Sequence, residues 1–134
     1  MESRLVRSTT ITCKTSFEGI HRFPDAPPEV GYLRNPHRHV FYVEVEMDVY
    51  HTDREVEFIS AKHAIDAFLR THFDMNGVWQ MDTLSCEQVA ELIMDFLEER
   101  YCRVKQRAII VTVSEDNENG ATVYGVRGEQ YELQ

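Results

Sequence analysis

The sequence predicts an α+β domain with the element order β-β-α-α-β-β. Three observations predict it: period-two alternation of apolar residues early in the chain, two helical apolar stripes in the middle, and a β-branched hairpin near the end. A chain of 134 residues suits one domain, 1–134, with a sizeable core. Hydrophobic content of 43% beside 28% charged residues is ordinary for a soluble globular protein, and no window approaches the run of about 18 apolar residues that a membrane span needs. The start, Met1-Glu2-Ser3-Arg4-Leu5-Val6-Arg7, carries charges but no apolar core of a leader, so the cytoplasm is the expected compartment. A formal charge of −9 disfavours nucleic acid as a partner, and no compact basic patch offsets it. Cys13, Cys86 and Cys102 are far apart and lack a CxxC spacing, so they read as reduced thiols.

Residues 4–17 alternate and are rich in Val, Thr and Ile, which predicts the first strand. Pro24, Pro27, Pro28, Gly31 and Pro36 then punctuate residues 22–36 too heavily for regular structure, and a loop is expected there. From His39 to Val49 the alternation is clean, with Phe41, Val43, Val45, Met47 and Val49 on one face. A polar turn over residues 51–54 leads to Ile59, Ala61, Ala64, Ile65, Phe68 and Leu69, a helical stripe reaching about His72. Ser85 with Gln88 three residues on makes a capping box, and Val89, Leu92, Ile93, Phe96 and Leu97 continue it as a second helix ending near Tyr101. Trp79, in the connection between the helices, is expected to pack or to touch another subunit. Residues 108–115 are too β-branched for a good helix, residues 116–120 form a turn, and residues 121–126 return as a hairpin strand.

Against this frame, three histidines stand out: His21 in Ser16-Phe17-Glu18-Gly19-Ile20-His21-Arg22, and the pair in His37-Arg38-His39. Two histidines two apart on a strand project from one face, and a third from a neighbouring strand completes a cup of three nitrogens. Three neutral imidazoles with one open position are what a catalytic zinc ion requires.

These residues, together with Glu57-Phe58 before the first helix, His72-x-x-x-Asn76 after it, Ser85-x-Glu87 at the second and Ser114-Glu115 ending the third strand, form a pattern running from about Ile11 to Tyr124. That pattern resembles the 6-pyruvoyl-tetrahydropterin synthase and 6-carboxytetrahydropterin synthase family. The resemblance implies the tunnelling fold: a four-stranded antiparallel sheet with two helices on one face, joined between subunits into a barrel. It implies a homo-oligomer, a trimer or a hexamer of two stacked trimers, with sites between subunits. It further implies Zn2+ on His21, His37 and His39, a pterin ring anchored by Glu115, and elimination of triphosphate from 7,8-dihydroneopterin triphosphate. The pathway implied is tetrahydropterin or 7-deazaguanine (queuosine-type) biosynthesis.

The chain departs from that pattern at two catalytic positions. The usual cysteine, about four residues before the first histidine of the pair, is missing from Gly31-Tyr32-Leu33-Arg34-Asn35-Pro36, and the usual Asp-His pair reads Thr71-His72. His72 remains as the proton shuttle, and the replacement base is metal-bound hydroxide, Glu29, which is the only carboxylate after Asp25 in the loop, or a group from the neighbouring subunit. Ser85, Cys86 and Arg22 are candidate substrate contacts, and Lys14, Arg22 and Arg34 are cations available to a triphosphate. Two functions follow: a zinc-dependent pterin lyase, or an altered or inactive homologue that binds metal and a pterin-like or purine-like ligand.

Overall fold

Alternation in the first fifty residues becomes a pair of long antiparallel strands, β1 (Thr9–His21) and β2 (His37–Val49), registered from Thr9 opposite Val49 to His21 opposite His37. The computed structural model describes residues 5–126; Arg4, where the predicted first strand begins, and the outer ends of the predicted 1–134 domain lie outside them. β1 therefore runs later than the predicted residues 4–17, and His21 sits inside the strand because each of its last residues has a partner on β2. Odd-numbered residues of both strands face the core: Cys13, Phe17, Phe41, Val43, Val45 and Met47 are all buried. Full burial of such apolar side chains stabilises the fold by roughly 1.5–3 kcal/mol each.

Between these strands the predicted irregular loop contains a 3-10 helix, Pro28–Arg34, with proline in its first turn, where a missing N–H costs nothing. Helix α1 (Phe58–Phe73) is capped by Glu57, whose carboxylate accepts from the Ile59 and Ser60 N–H groups at 2.9 and 2.8 Å. It buries Ala61, Ile65, Leu69 and Phe73. Helix α2 (Cys86–Tyr101) begins with the predicted capping box: Ser85 Oγ accepts from Gln88 N, and Gln88 Oε1 accepts from Ser85 N.

The connection between the helices is not featureless. Asp74–Met75 and Val78–Asp82 form a small hairpin, β3 and β4, turned through Asn76 (φ 58°) and Gly77 (φ 84°), the positive pair that a two-residue type I′ turn demands. Trp79 on β4 stacks on Phe17 at 4.9 Å, which is the packing role expected of it. β4 runs parallel to β1 only at its end, pairing at Ile20 and His21. After α2 come β5 (Ala108–Glu115) and β6 (Asn119–Val126), so among the described residues the expected four strands are six, in the order β3-β4-β1-β2-β5-β6.

α1 lies against β1, and α2 against β5 and β6, and both helices share one apolar cluster with the sheet. Among the described residues, β6 pairs only with β5, and β1 is paired on its β4 side only at Ile20 and His21. Two long strand edges are thereby left open, besides that of the two-residue β3. No helix among the described residues is long and apolar enough to cross a membrane.

Candidate metal centre

Strand register brings the three histidines together. Because His21 is opposite His37, and His39 lies two residues along β2, all three project from the helix-covered face at one end of the sheet. One ligand nitrogen from each lies within 4.8 Å of the others. The rings meet edge to face, His21 to His37 at 4.6 Å and His37 to His39 at 5.0 Å between centroids. Phe41, fully buried, closes the floor beneath His21 and His39.

Each ring is oriented by its Nδ1 atom. His21 Nδ1 donates to the Leu84 carbonyl at 2.9 Å, His37 Nδ1 to the Asn35 carbonyl at 2.8 Å, and His39 Nδ1 to Asp116 Oδ2 at 2.6 Å. All three partners are acceptors, so the proton is assigned to Nδ1 and every Nε2 is left with a free lone pair. This is how outer partners fix ligating histidines. His21 Nε2 is buried and has no aligned hydrogen bond. A buried acceptor without a donor, facing two more imidazole nitrogens, fits a metal ion with nitrogen ligands.

The orienting partners are the residues that sequence reasoning missed. Asp116 also accepts from Val40 N at 3.0 Å, and its own N–H donates to the Val40 carbonyl at 2.7 Å, which locks the β5–β6 turn onto β2. Its hydrogen bond to His39, aided by the one from Val40, holds its carboxyl below the usual carboxylate range. Asp116 and Asn117 have φ of 53° and 59°, so the predicted turn is built from the residue types that tolerate this region. Leu84 comes from the short link between β4 and α2, and the Arg22 N–H donates to the Asp82 carbonyl at 2.9 Å, so the unforeseen hairpin clamps the end of β1.

Beside the cup, a cleft of about 880 Å³ runs between residues 21–25 and the start of α2. Arg22, Ser85, Cys86 and Glu115 all line it, which brings every expected substrate contact to the metal-ligating candidates His21 and His37. Glu115, opposite Phe41 on β2, lies on the same face as the histidines, with Oε2 2.9 Å from His21 Nε2 and Oε1 3.8 Å from His39 Nε2. Ser85 spends its hydroxyl on capping α2. Burial first, and then the charges of Glu115 and Glu87, push the Cys86 thiol up to about 12.

Other expected residues are not gathered here. Glu29 is exposed on the 3-10 helix and does not line the cleft, and His72 is exposed on α1 between Phe68 and Phe73. Lys14 projects from the opposite face of the sheet, paired with Glu44 at 3.5 Å, and Arg34 is committed to the Ala26 carbonyl through two hydrogen bonds. Of the three cations only Arg22 reaches the cleft, where it meets Asp82 at 3.4 Å.

The family model for 6-pyruvoyl tetrahydropterin synthase matches residues 10–126. The chain belongs to the 6-pyruvoyl tetrahydropterin synthase family. That match covers both histidine-bearing strands, both helices and the β5–β6 hairpin, so the whole centre lies within the 6-pyruvoyl tetrahydropterin synthase domain. Zn2+ is the typical metal of this family, and His21, His37 and His39 could hold it here. No curated protein matches the chain.

Proposed function

We propose that the protein is a zinc-dependent, pterin-processing lyase that acts on 7,8-dihydroneopterin triphosphate or a related pterin, in tetrahydropterin or queuosine-type biosynthesis. The observation that carries this reading is the set of three Nε2 lone pairs, each fixed by an acceptor on Nδ1, on histidines of which His21 and His37 line a cleft, in a chain of this family. His21, His37 and His39 hold the ion, which when bound supplies a Lewis acid that lowers the pKa of side-chain hydroxyls on the ligand.

The chain's own groups supply the rest. Glu115, on the cleft wall, accepts two hydrogen bonds from ring N–H groups, a charge-assisted pairing that a neutral side chain could not match. Arg22 offers the guanidinium that a triphosphate needs, while Ser85 and Cys86 shape the wall at the start of α2. Proton transfer falls to His72 and Glu29, whose places outside this chain's cleft suit sites built between subunits of a homotrimer or hexamer. The open edges of β1 and β6 support such an assembly, because unpaired strands are templates for pairing with another copy. The ligand partners are small molecules, and the working compartment is the cytoplasm.

One observation favours the second reading, a homologue that binds metal and a pterin-like or purine-like ligand without turnover. Cys86, the one cysteine lining the cleft, has its thiol pushed up to about 12 and is protonated at neutral pH, so it offers no thiolate base. Metal analysis followed by incubation with 7,8-dihydroneopterin triphosphate separates the two. Stoichiometric zinc with released triphosphate establishes the lyase; stoichiometric zinc with bound but unconverted pterin at high protein concentration refutes it in favour of the binding protein.

A further inference from the structure

Glu115 stands in an arrangement that its role as ring anchor does not explain. Its Oε2 lies 2.9 Å from His21 Nε2 and its Oε1 3.8 Å from His39 Nε2. Since His21 donates its Nδ1 proton to Leu84, Nε2 is an acceptor, and a carboxylate oxygen is also an acceptor. Two acceptors this close repel unless a cation lies between or beside them. A shared proton would sit on an aligned N–H···O line, yet no hydrogen bond is aligned on His21 Nε2, which is buried. Ligands around a tetrahedral ion with bonds of roughly 2.0–2.2 Å stand roughly 3.3–3.5 Å apart. Glu115 approaches two of the three histidines near that separation, with Oε2 toward His21 and Oε1 toward His39.

We propose that Glu115 is the fourth protein ligand of the metal in the ligand-free protein, closing a three-histidine, one-carboxylate site that an incoming molecule must open. This rests on the metal reading above and adds a gate to it. Glu115 ends β5 beside the turn at Asp116, its side chain is 30% exposed, and it borders the cleft, so it has room to leave the ion. One carboxylate cannot serve the ion and the ring together. Ring binding therefore withdraws Glu115 and frees a coordination position at the moment a ligand oxygen is at hand. Ligands that combine an amidine-like pair of N–H donors with a nearby hydroxyl satisfy both halves of the exchange. Simple anions satisfy only one, and must compete with an internal carboxylate.

Co2+-substituted protein tests this, with the visible spectrum as readout and azide as probe. Glu115→Gln is expected to weaken Co2+ binding by about tenfold or more, the scale of losing a supporting group at a metal site, and to tighten azide binding by a similar factor. Equal Co2+ and azide affinities in wild type and E115Q overturn the gate and leave the three-histidine site standing. Tight azide binding by the wild type alone also overturns it, whatever the variant does. If the wild type takes up no Co2+, while its thermal melt shows it folded, the metal reading fails and the gate falls with it.

Discussion

Replacing Asp116 with Asn probes the outer support of the metal centre with little disturbance to the backbone. Asn tolerates the φ of 53° at this position, so the turn is retained. The carboxylate makes two bonds as an acceptor, Oδ2 to His39 Nδ1 at 2.6 Å and Oδ1 to Val40 N at 3.0 Å. An amide has one oxygen and one NH2 group, so one of these bonds is lost. If the oxygen keeps Val40, the NH2 group faces His39 Nδ1, and a hydrogen bond then requires the proton to move to Nε2, which removes the lone pair meant for the metal. If the oxygen keeps His39, the NH2 group opposes the Val40 N–H, and the negative charge that raises imidazole basicity is gone. Either way the expected loss in Zn2+ affinity is about 10–100-fold, the range seen when outer partners of ligating histidines are removed. Competition against a chromophoric zinc chelator measures it, with circular dichroism to confirm folding. A folded D116N protein that binds Zn2+ within about twofold of wild type would refute the claim that Asp116 sets the His39 tautomer.

Other consequences concern ligands, stability and reactivity. His37→Ala removes one of three nitrogens and is expected to abolish stoichiometric Zn2+ while leaving the melting curve largely intact, because among the described residues the partly buried ring hydrogen-bonds only to the Asn35 carbonyl; metal content by mass spectrometry decides it. Arg107 is 7% exposed and forms a fork with Glu55 while donating to the Tyr101 and Asp48 carbonyls, so Glu55→Gln strands a buried guanidinium and is expected to cost about 3–5 kcal/mol in urea unfolding. The same pair sets an acid limit: bonds from Arg107 hold Glu55 at about 2 against an ordinary 4.5, so its stabilisation is complete above that ordinary value and is lost as pH falls toward about 2. Acid unfolding of E55Q should lack this limb, and an unchanged profile would exclude Glu55 as its source. At Gly120 a Cβ would meet the Val113 carbonyl at 2.4 Å and Ser114 Cα at 2.7 Å, so Gly120→Ala is expected to destabilise by about 1–3 kcal/mol in thermal unfolding. Cys86, with its thiol at about 12, should resist iodoacetamide at neutral pH until the protein unfolds, which peptide mapping reads directly.

How much of this was legible before the structure differs from element to element. The faces of β1 and β2 follow from alternation, which survives in the fold because Phe41, Val43, Val45 and Met47 have nowhere to go but the core. α2 follows from its own cap, since Ser85 and Gln88 satisfy local N–H groups without help from elsewhere. β3 and β4 were not legible: a two-residue strand and a five-residue strand carry too little pattern, and the pairing of β4 with the end of β1 joins segments about sixty positions apart. Asn76-Gly77, a hairpin turn signal, was the one mark that could have revealed them. Asp116 was hidden for a similar reason, because its bond to His39 spans 77 positions and a turn aspartate looks like any other.

By itself the sequence determined the α+β class, the two long strands, the two helices and the identity of the three histidines, all of which rest on local periodicity, caps and residue chemistry. Only the tertiary structure decided that His21 stands opposite His37, that each Nδ1 meets an acceptor, and that Glu115 reaches the Nε2 atoms of His21 and His39. It also decided that Lys14, Arg34, Glu29 and His72 lie elsewhere. The physical reason is that side-chain type and spacing are properties of a segment, whereas the direction of a lone pair is set by partners that only folding brings within hydrogen-bond reach.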